Sequence, residues 1–479
     1  MAKDSPATEA PPPRKPHLNE QRLIGESVAP TLVRFAMPLL ATNLLAALSA
    51  SWGAIWVSHV LGPNALTAVV NANLFMGMMT GSIMGVGSAA GIAIGQALGQ
   101  GNLTAVKRFT GNAMSFVLAT SVLLGVLGWT FAPALLDLIH LPAAARSMAI
   151  TYLRFTSLSM PPVFTYAFLM MMLRGSGDPR TPFRFSLIAI FGSLALSPLL
   201  LTGAYGFPRL GIAGVAVGSL IANGAALLAL LVYMYLRDHP LALRRGDFHH
   251  LKPDFALIWL LVTRGAPMAA ETFIVQGAYF VLLTLVNGQG AATAAAYSGA
   301  AQLWGYVQMP SGAVAASMSA MAAVNIGANR WDRIDTIAFQ GCLVSGGFTL
   351  IAAAAVYGLG DLPLKLFLPA GGQALEIART LNRIVLWGWI LLAVTNGLSA
   401  MVRANSAMLA PTLIYATTMW ALRVPFAFFL LPVFGAAAIW WSFPLGTIGS
   451  AALALAYFRW GGWRKNKLMV VPAAKTAAA

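Results

Sequence analysis

Apolar residues fall into twelve long stretches separated by short polar connectors, and this alternation dominates the chain. A hydrocarbon core of about 30 Å takes roughly 20 helical residues to cross. Stretches at 31–57, 65–96, 108–132, 148–172, 183–204 and 211–236 are long enough. Six more follow at 255–286, 291–323, 337–358, 380–402, 409–432 and 436–459. In lipid only helices or closed barrels satisfy their own backbone, and these runs far exceed barrel strands of about ten residues. The pattern predicts an all-α integral membrane protein with twelve transmembrane helices. Residues 1–30 are polar and proline-rich, with no signal-peptide core or cleavage site, and are expected to be a disordered tail. Residues 460–479 form a second, basic tail.

Composition agrees. Of 479 residues, 58% are hydrophobic and 9% charged, against about 25% charged in soluble domains. The net charge of +16 would point to nucleic acid in a soluble protein. Here the basic residues lie in connectors, which points to anionic lipid head groups and to topology, with no nucleic-acid partner. Twenty-one Lys and Arg fall on the side of the termini, and six on or near the opposite connectors. The positive-inside rule therefore expects both termini in the cytoplasm. The single cysteine, Cys342, excludes an intramolecular disulfide.

The halves also repeat. Leu98-Gly99-Gln100-Gly101-Asn102 recurs as Ile326-Gly327-Ala328-Asn329-Arg330, and Met172-Leu173-Arg174-Gly175 as Met401-Val402-Arg403-Ala404. Pro38 recurs as Pro267, and Pro208-x-x-Gly211 as Pro432-x-x-Gly435. Six spans per repeat is an even number, so both halves enter the membrane the same way, related by a pseudo-two-fold axis along its normal. The expected organisation is an amino lobe at 31–236, a cytoplasmic linker at 237–254 and a carboxyl lobe at 255–459. A site between two lobes that rock against each other suits a secondary transporter better than a static scaffold or channel.

These stretches resemble the multidrug and toxic compound extrusion (MATE) transporters over about residues 25–460. The resemblance is carried by GPNALTAVVNAN (62–73), GVGSAAGIAIGQALGQGN (85–102), LRGSGDPRTP (173–182), GFPRLGIAGVAVGSLIAN (206–223), RGAPMAAETF (264–273) and MPSGAVAASMSAMAAVNIGANR (309–330). It implies two six-helix lobes around a central cavity, in a monomer of the bacterial inner membrane. It further implies multidrug export driven by inward H⁺ or Na⁺, with amphipathic organic cations as substrates. Three positions depart from the family pattern. Gly53 stands at a first-span acid, Ser197 at a fifth-span acid before Pro198, and Leu392 and Asn396 near a tenth-span acid. The amino-lobe ion site of the family is therefore not carried over.

Thirteen of the 14 acidic residues lie in tails or connectors; Glu271 lies inside the seventh span. An intramembrane carboxylate costs about 3 kcal/mol at mid-bilayer by insertion scales, which makes it a functional candidate. It suits proton carriage, with Na⁺ as the alternative coupling ion, or serves as a capped group paired with Arg264. Glu271, Val275 and Ala278 share a helix face with Tyr279 close by, and Gln276 points elsewhere. Pro38 and Pro267 are candidate gating kinks. Asn71, Asn73, Gln302 and Asn396 either bind ligand or bond between helices. Trp304 lines a cavity or sits in an interfacial belt. Arg423 is an intramembrane cation that resembles an Arg the family keeps before a proline, with Glu271 as one conceivable partner. No phosphate loop, metal-ligand spacing or catalytic cluster occurs, so neither an enzyme nor a cofactor or metal site is expected. A lipid-linked oligosaccharide flippase of related fold needs a cationic groove, and the basic residues gather mainly in the connectors. Export of neutral or anionic metabolites is the other alternative.

Overall fold

The computed structural model describes residues 18–138, 143–368, 372–466 and 468–469. The amino lobe comprises α2 (Val28–Leu61), α3 (Pro63–Gly99), α4 (Leu103–Leu138), α5 (Ala143–Gly175), α6 (Arg180–Thr202) and α7 (Ile212–Leu236), after a short α1 (Leu18–Gly25). The carboxyl lobe begins with α8 (Phe255–Asn287), α9 (Ala291–Gly327), α10 (Ile334–Gly358) and the single turn α11 (Leu362–Lys365). It continues through α12 (Gly372–Val385), α13 (Gly388–Ala404), α14 (Leu409–Ala416), α15 (Val424–Phe434) and α16 (Ala436–Trp460).

All twelve expected crossings are found among the described residues. Ten are helical stretches long and apolar enough to span a membrane. An eleventh is the broken span α12–α13, bent by 47°. The twelfth is α9, whose 37 residues are rich in alanine rather than large apolar side chains. Such small residues let neighbouring helices approach closely in lipid, where packing replaces the hydrophobic drive. Between α14 and α15 the residues Thr417–Arg423 form a π-helical segment, so the crossing these two helices make is wound more widely at its centre.

The repeat is visible in the backbone. Gly101 (φ +70°) and Asn329 (φ +58°) take the same left-handed conformation at matching positions, as do Gly177 (φ +80°) and Ser406 (φ +64°). The turns after α3 and α9 close on matching bonds: Gly101 N–H to Leu98 O and Asn102 N–H to Ala97 O, then Asn329 N–H to Ile326 O and Arg330 N–H to Asn325 O. Ser406 accepts the steric cost of a positive φ that glycine avoids, and its turn still closes, with its N–H bonded to Arg403 O at 2.8 Å.

The lobes share one hydrophobic core at the end carrying these basic turns. There Leu32, Ile94 and Leu173 of the amino lobe pack in one cluster with Val324 and Met401 of the carboxyl lobe. The seam is close enough that a Cβ on Gly99 would lie 2.1 Å from Val324 O, and one on Gly85 2.5 Å from Gly265 O. At the opposite end the cores separate. One gathers Val57, Val69, Leu136 and Tyr152 in the amino lobe; another gathers Tyr297, Trp304, Trp389 and Phe443 in the carboxyl lobe.

Both tails and the linker brace the closed end. Residues 18–25 are helical and α2 starts at Val28, which corrects the expected disorder of 1–30; residues 1–17 lie outside the described residues. The reason is Leu23, fully buried, whose carbonyl accepts from Asn325 Nδ2 at 3.0 Å. After α16 the fully buried Trp463 stacks on Phe458, and Met469 N–H donates to Gln96 Oε1 at 2.9 Å. In the linker, Asp247 bonds Lys107 at 2.7 Å and Asp254 bonds Arg108 at 2.5 Å. Asp247 is partly desolvated, which raises its pKa, but the Lys107 ammonium and the Arg244 N–H outweigh that and hold its carboxyl below the ordinary carboxylate value.

Candidate functional site

Glu271 stands one turn beyond Pro267 on α8, and its carboxylate is held from α13. Arg403 Nη2 donates to both oxygens, at 2.7 and 2.8 Å, with both side chains less than one-fifth exposed. Thr412 of α14 donates to Pro267 O at 2.9 Å and lies 3.5 Å from Glu271 Oε2. One carboxylate thus joins three helices of the carboxyl lobe. Neither sequence-based partner is correct. Arg264 donates to Ser406 O at 3.0 Å, because two helical turns carry it to the basic turn. Arg423 is buried in a ring cage, 3.4 Å from the Phe443 centroid and 5.0 Å from that of Tyr279.

Glu271 faces a pocket of about 460 Å³ inside the carboxyl lobe, lined also by Gln276, Tyr279, Tyr297, Trp304, Gln308, Trp389, Asn396 and Tyr415. Gln276 therefore joins the face from which helical spacing excluded it, since the pocket subtends a wide arc of α8; Ala278 turns into the core instead. Trp304 is locked by Nε1–H to Asn382 Oδ1 at 2.9 Å and packs edge-on to Tyr297 and Phe443. Asn396 accepts from Tyr415 OH at 2.5 Å and donates to Ser311 Oγ at 3.2 Å. Five of the residues singled out by sequence meet here: Glu271, Gln276, Tyr279, Trp304 and Asn396.

The others lie elsewhere. Asn73 lines a second pocket of about 460 Å³ in the amino lobe with Trp52, Trp56 and Tyr152, whose hydroxyl donates to Asn73 Oδ1 at 3.3 Å. Asn71 donates back to Thr67 O within its own helix. Gln302 is exposed and absent from the pocket wall. Helices α2 and α8 run on through Pro38 and Pro267, and the pronounced bend is the 47° break before α13.

A third cavity, about 340 Å³, lies between the lobes. Its wall combines α3 and α5 of one lobe with α8, α9 and α13 of the other, and includes Arg174, Asn396 and Arg403. Hydropathy places both arginines in connectors, just past the predicted spans 148–172 and 380–402. The helices continue to Gly175 and Ala404, three and two residues past the predicted ends, and carry the guanidiniums to the cavity. The gathering of basic residues in connectors, the argument against a cationic groove, does not hold at these two positions. The signal that could have found them is the repeat, since Arg174 and Arg403 are matched residues in its second motif.

A two-lobed helical membrane protein with a pocket in each lobe and a cavity between them has the architecture of a secondary transporter. The MatE family model matches residues 38–199 and 267–429, and the two matched segments begin at the repeated prolines. The chain belongs to this family; it is a multi-pass membrane transporter of small molecules and not an enzyme. It is 32% identical over 456 residues to a protein of Bacillus subtilis named probable multidrug resistance protein YoeA, covering 94% of this chain and 97% of that one. It is 25% identical over 348 residues to a protein of Shewanella oneidensis named FAD transporter, covering 72% and 74%. Its fold matches an outward-facing structure of a multidrug resistance MATE family transporter, with a TM-score of 0.84 at 18% identity, over 93% and 98% of the two chains.

Proposed function

We propose that this transporter exports small amphipathic compounds in exchange for protons, with Glu271 as the coupling carboxylate. It works by alternating access, as a monomer of the bacterial inner membrane with both termini cytoplasmic. The observation that carries the reading is the position of Glu271: among the described residues it alone supplies a carboxylate to the three cavities, and that carboxylate ties α8 to α13. Protonation removes the charge that holds Arg403, so one proton loosens a contact between helices that line both the pocket and the inter-lobe cavity.

Electrostatics favours H⁺ over Na⁺. Sodium needs several oxygen ligands, and here a guanidinium already occupies both carboxylate oxygens and repels a second cation. A proton needs one oxygen. The ring-lined pocket suits amphipathic organic compounds, including cations through their contact with aromatic faces. The relative named FAD transporter supports a range that is not confined to cationic drugs. On this reading the bracing at the closed end faces the cytoplasm, and the separated cores face outward.

The test is efflux from inverted vesicles or proteoliposomes with pH and Na⁺ gradients imposed separately, comparing wild type, Glu271→Gln and empty membranes. Ethidium serves as the cationic probe and a neutral dye of similar size as its control. The expected result is transport driven by the pH gradient and lost in Glu271→Gln. A Na⁺ gradient that drives transport equally well, or full coupling in Glu271→Gln, overturns the assignment.

A further inference from the structure

The inter-lobe cavity carries two arginines in unequal states. Arg403 is neutralised by Glu271 at 2.7 Å. Arg174, its counterpart 229 positions earlier, has no carboxylate against it among the described residues, and its buried Nε, like that of Arg403, has no hydrogen-bond partner. The repeat explains the difference. The position matching Glu271 is Thr42, whose hydroxyl is spent on Pro38 O at 2.9 Å. The amino lobe therefore has the arginine of the pair without the acid.

An unpaired guanidinium shielded from water is costly and is retained where it faces a cavity or a partner. The rest of the wall is small or weakly polar, with Gly91, Gly175, Ala315, Ala316 and Ser319 among it, and supplies no competing carboxylate. A guanidinium presents parallel N–H donors that match the oxygens of a carboxylate or phosphate. Asn396 belongs to the wall of both this cavity and the ring-lined pocket, so the two spaces adjoin. Their volumes, about 340 and 460 Å³, lie in the range of small-ligand sites.

We propose that the inter-lobe cavity is the subsite for the acidic group of an aromatic amphipathic compound, held by Arg174, with the compound's rings extending past Asn396 toward the ring-lined pocket. The acid sits on the amino-lobe arginine, so the Glu271–Arg403 pair on the other lobe stays bonded and available for its proton. This rests on the transport reading of the same pocket and names the chemistry of what it carries.

The experiment measures equilibrium binding to the full chain in lipid nanodiscs, without any gradient. The probes share one ring system: 2-naphthoate, 2-naphthyl phosphate, 2-naphthylmethanol and 2-naphthylmethylammonium. The two acids are expected to bind at least tenfold more tightly than the alcohol, and their order tells carboxylate from phosphate. Arg174→Gln should erase that preference, and Arg174→Lys should keep part of it. Equal binding of acids and alcohol, tighter binding of the ammonium, or an acid preference that survives Arg174→Gln overturns the proposal. Melting curves report folding of the variants; should Arg174→Gln not fold, the ranking in wild type and Arg174→Lys still decides. Acids that bind but are not driven by a pH gradient sink proton coupling and leave the subsite standing. Gradient-driven efflux without acid preference does the reverse.

Discussion

The two lobes descend from one plan and differ at the positions where charge is handled. Their turns keep the same left-handed residues, Gly101 with Asn329 and Gly177 with Ser406. Both keep a proline, Pro38 or Pro267, whose carbonyl accepts a threonine hydroxyl at 2.9 Å. The donors differ: Thr42 bonds Pro38 O from within its own helix, whereas Thr412 reaches Pro267 O from α14. That leaves the carboxyl-lobe position after the proline free to be Glu271, which binds Arg403. Backbone geometry is thus shared, while one side-chain exchange gives the carboxyl lobe a neutral ion pair and the amino lobe a bare cation.

The largest expected effect comes from breaking that difference on the carboxyl side. Glu271→Val leaves Arg403 uncompensated in a site less than one-fifth exposed, and losing one partner of a buried pair typically costs about 3–5 kcal/mol. Thr42→Val at the matching position removes a hydroxyl bonded to Pro38 O and 3.4 Å from Ser186 Oγ, with no charge left stranded, about 1 kcal/mol. Adding Arg403→Met to Glu271→Val should return most of the loss, because no charge is then stranded. Unfolding of the wild type and these three variants in detergent checks this. Equal costs at positions 42 and 271 would show that Arg403 is well hydrated and the pair contributes little.

A second contrast is between the closed and the separated ends, with an expected effect of about 1–3 kcal/mol, as for overpacking. Gly99→Ala puts a methyl where Val324 O stands 2.1 Å away, so the seam must part. Gly53→Ala in the amino-lobe pocket meets nothing within 4 Å and should be neutral. Cross-linking of a cysteine pair across the α3–α9 seam, in a chain lacking Cys342, should fall in the first variant and persist in the second. Unchanged cross-linking in Gly99→Ala would mean that the seam yields without opening.

Twelve spans, a duplicated plan and the family were all legible in the sequence, because span length and repeat offset are properties of position along the chain. Glu271 was legible for the same reason, as a carboxylate within an apolar run. Its partner was not. Arg403 is 132 residues away, and hydropathy ends a span at its last apolar residue. The helix itself runs on to Gly175 or Ala404, two residues before the backbone turns left-handed at Gly177 or Ser406. Arg174 and Arg403 fall in that gap, where hydropathy alone makes them connector charges. Tyr297, Trp389 and Tyr415 of the ring-lined pocket went unnoticed because one more aromatic in an apolar run changes no pattern; only packing among α8, α9, α13 and α14 brings them together.

The smallest expected effect concerns the linker, the one segment with no counterpart in the repeat. Asp247 and Asp254 are each subject to desolvation, which raises their pKa values, but bonds to Lys107 and Arg108 outweigh it and hold both carboxyls below the ordinary value near 3.9. A depressed carboxylate stabilises the docked state above its unfolded pKa and loses that contribution as pH falls through the folded value, so docking should persist at pH 5 and weaken below about 4. His250 acts in the same direction from higher pH. Burial first, and then the neighbouring His249, lower its pKa, so the docked linker favours the neutral ring and protonation below about 6.5 opposes docking. Each ion pair is partly exposed and worth about 0.2–1 kcal/mol. Hydrogen exchange across 245–251 should therefore rise modestly from pH 7 to 5, after correction for intrinsic rates, and more steeply below 4, while exchange in α3 and α9 at the seam stays flat. A seam that loosens in step with the linker would show that the linker helps to hold the lobes together and is more than a tether.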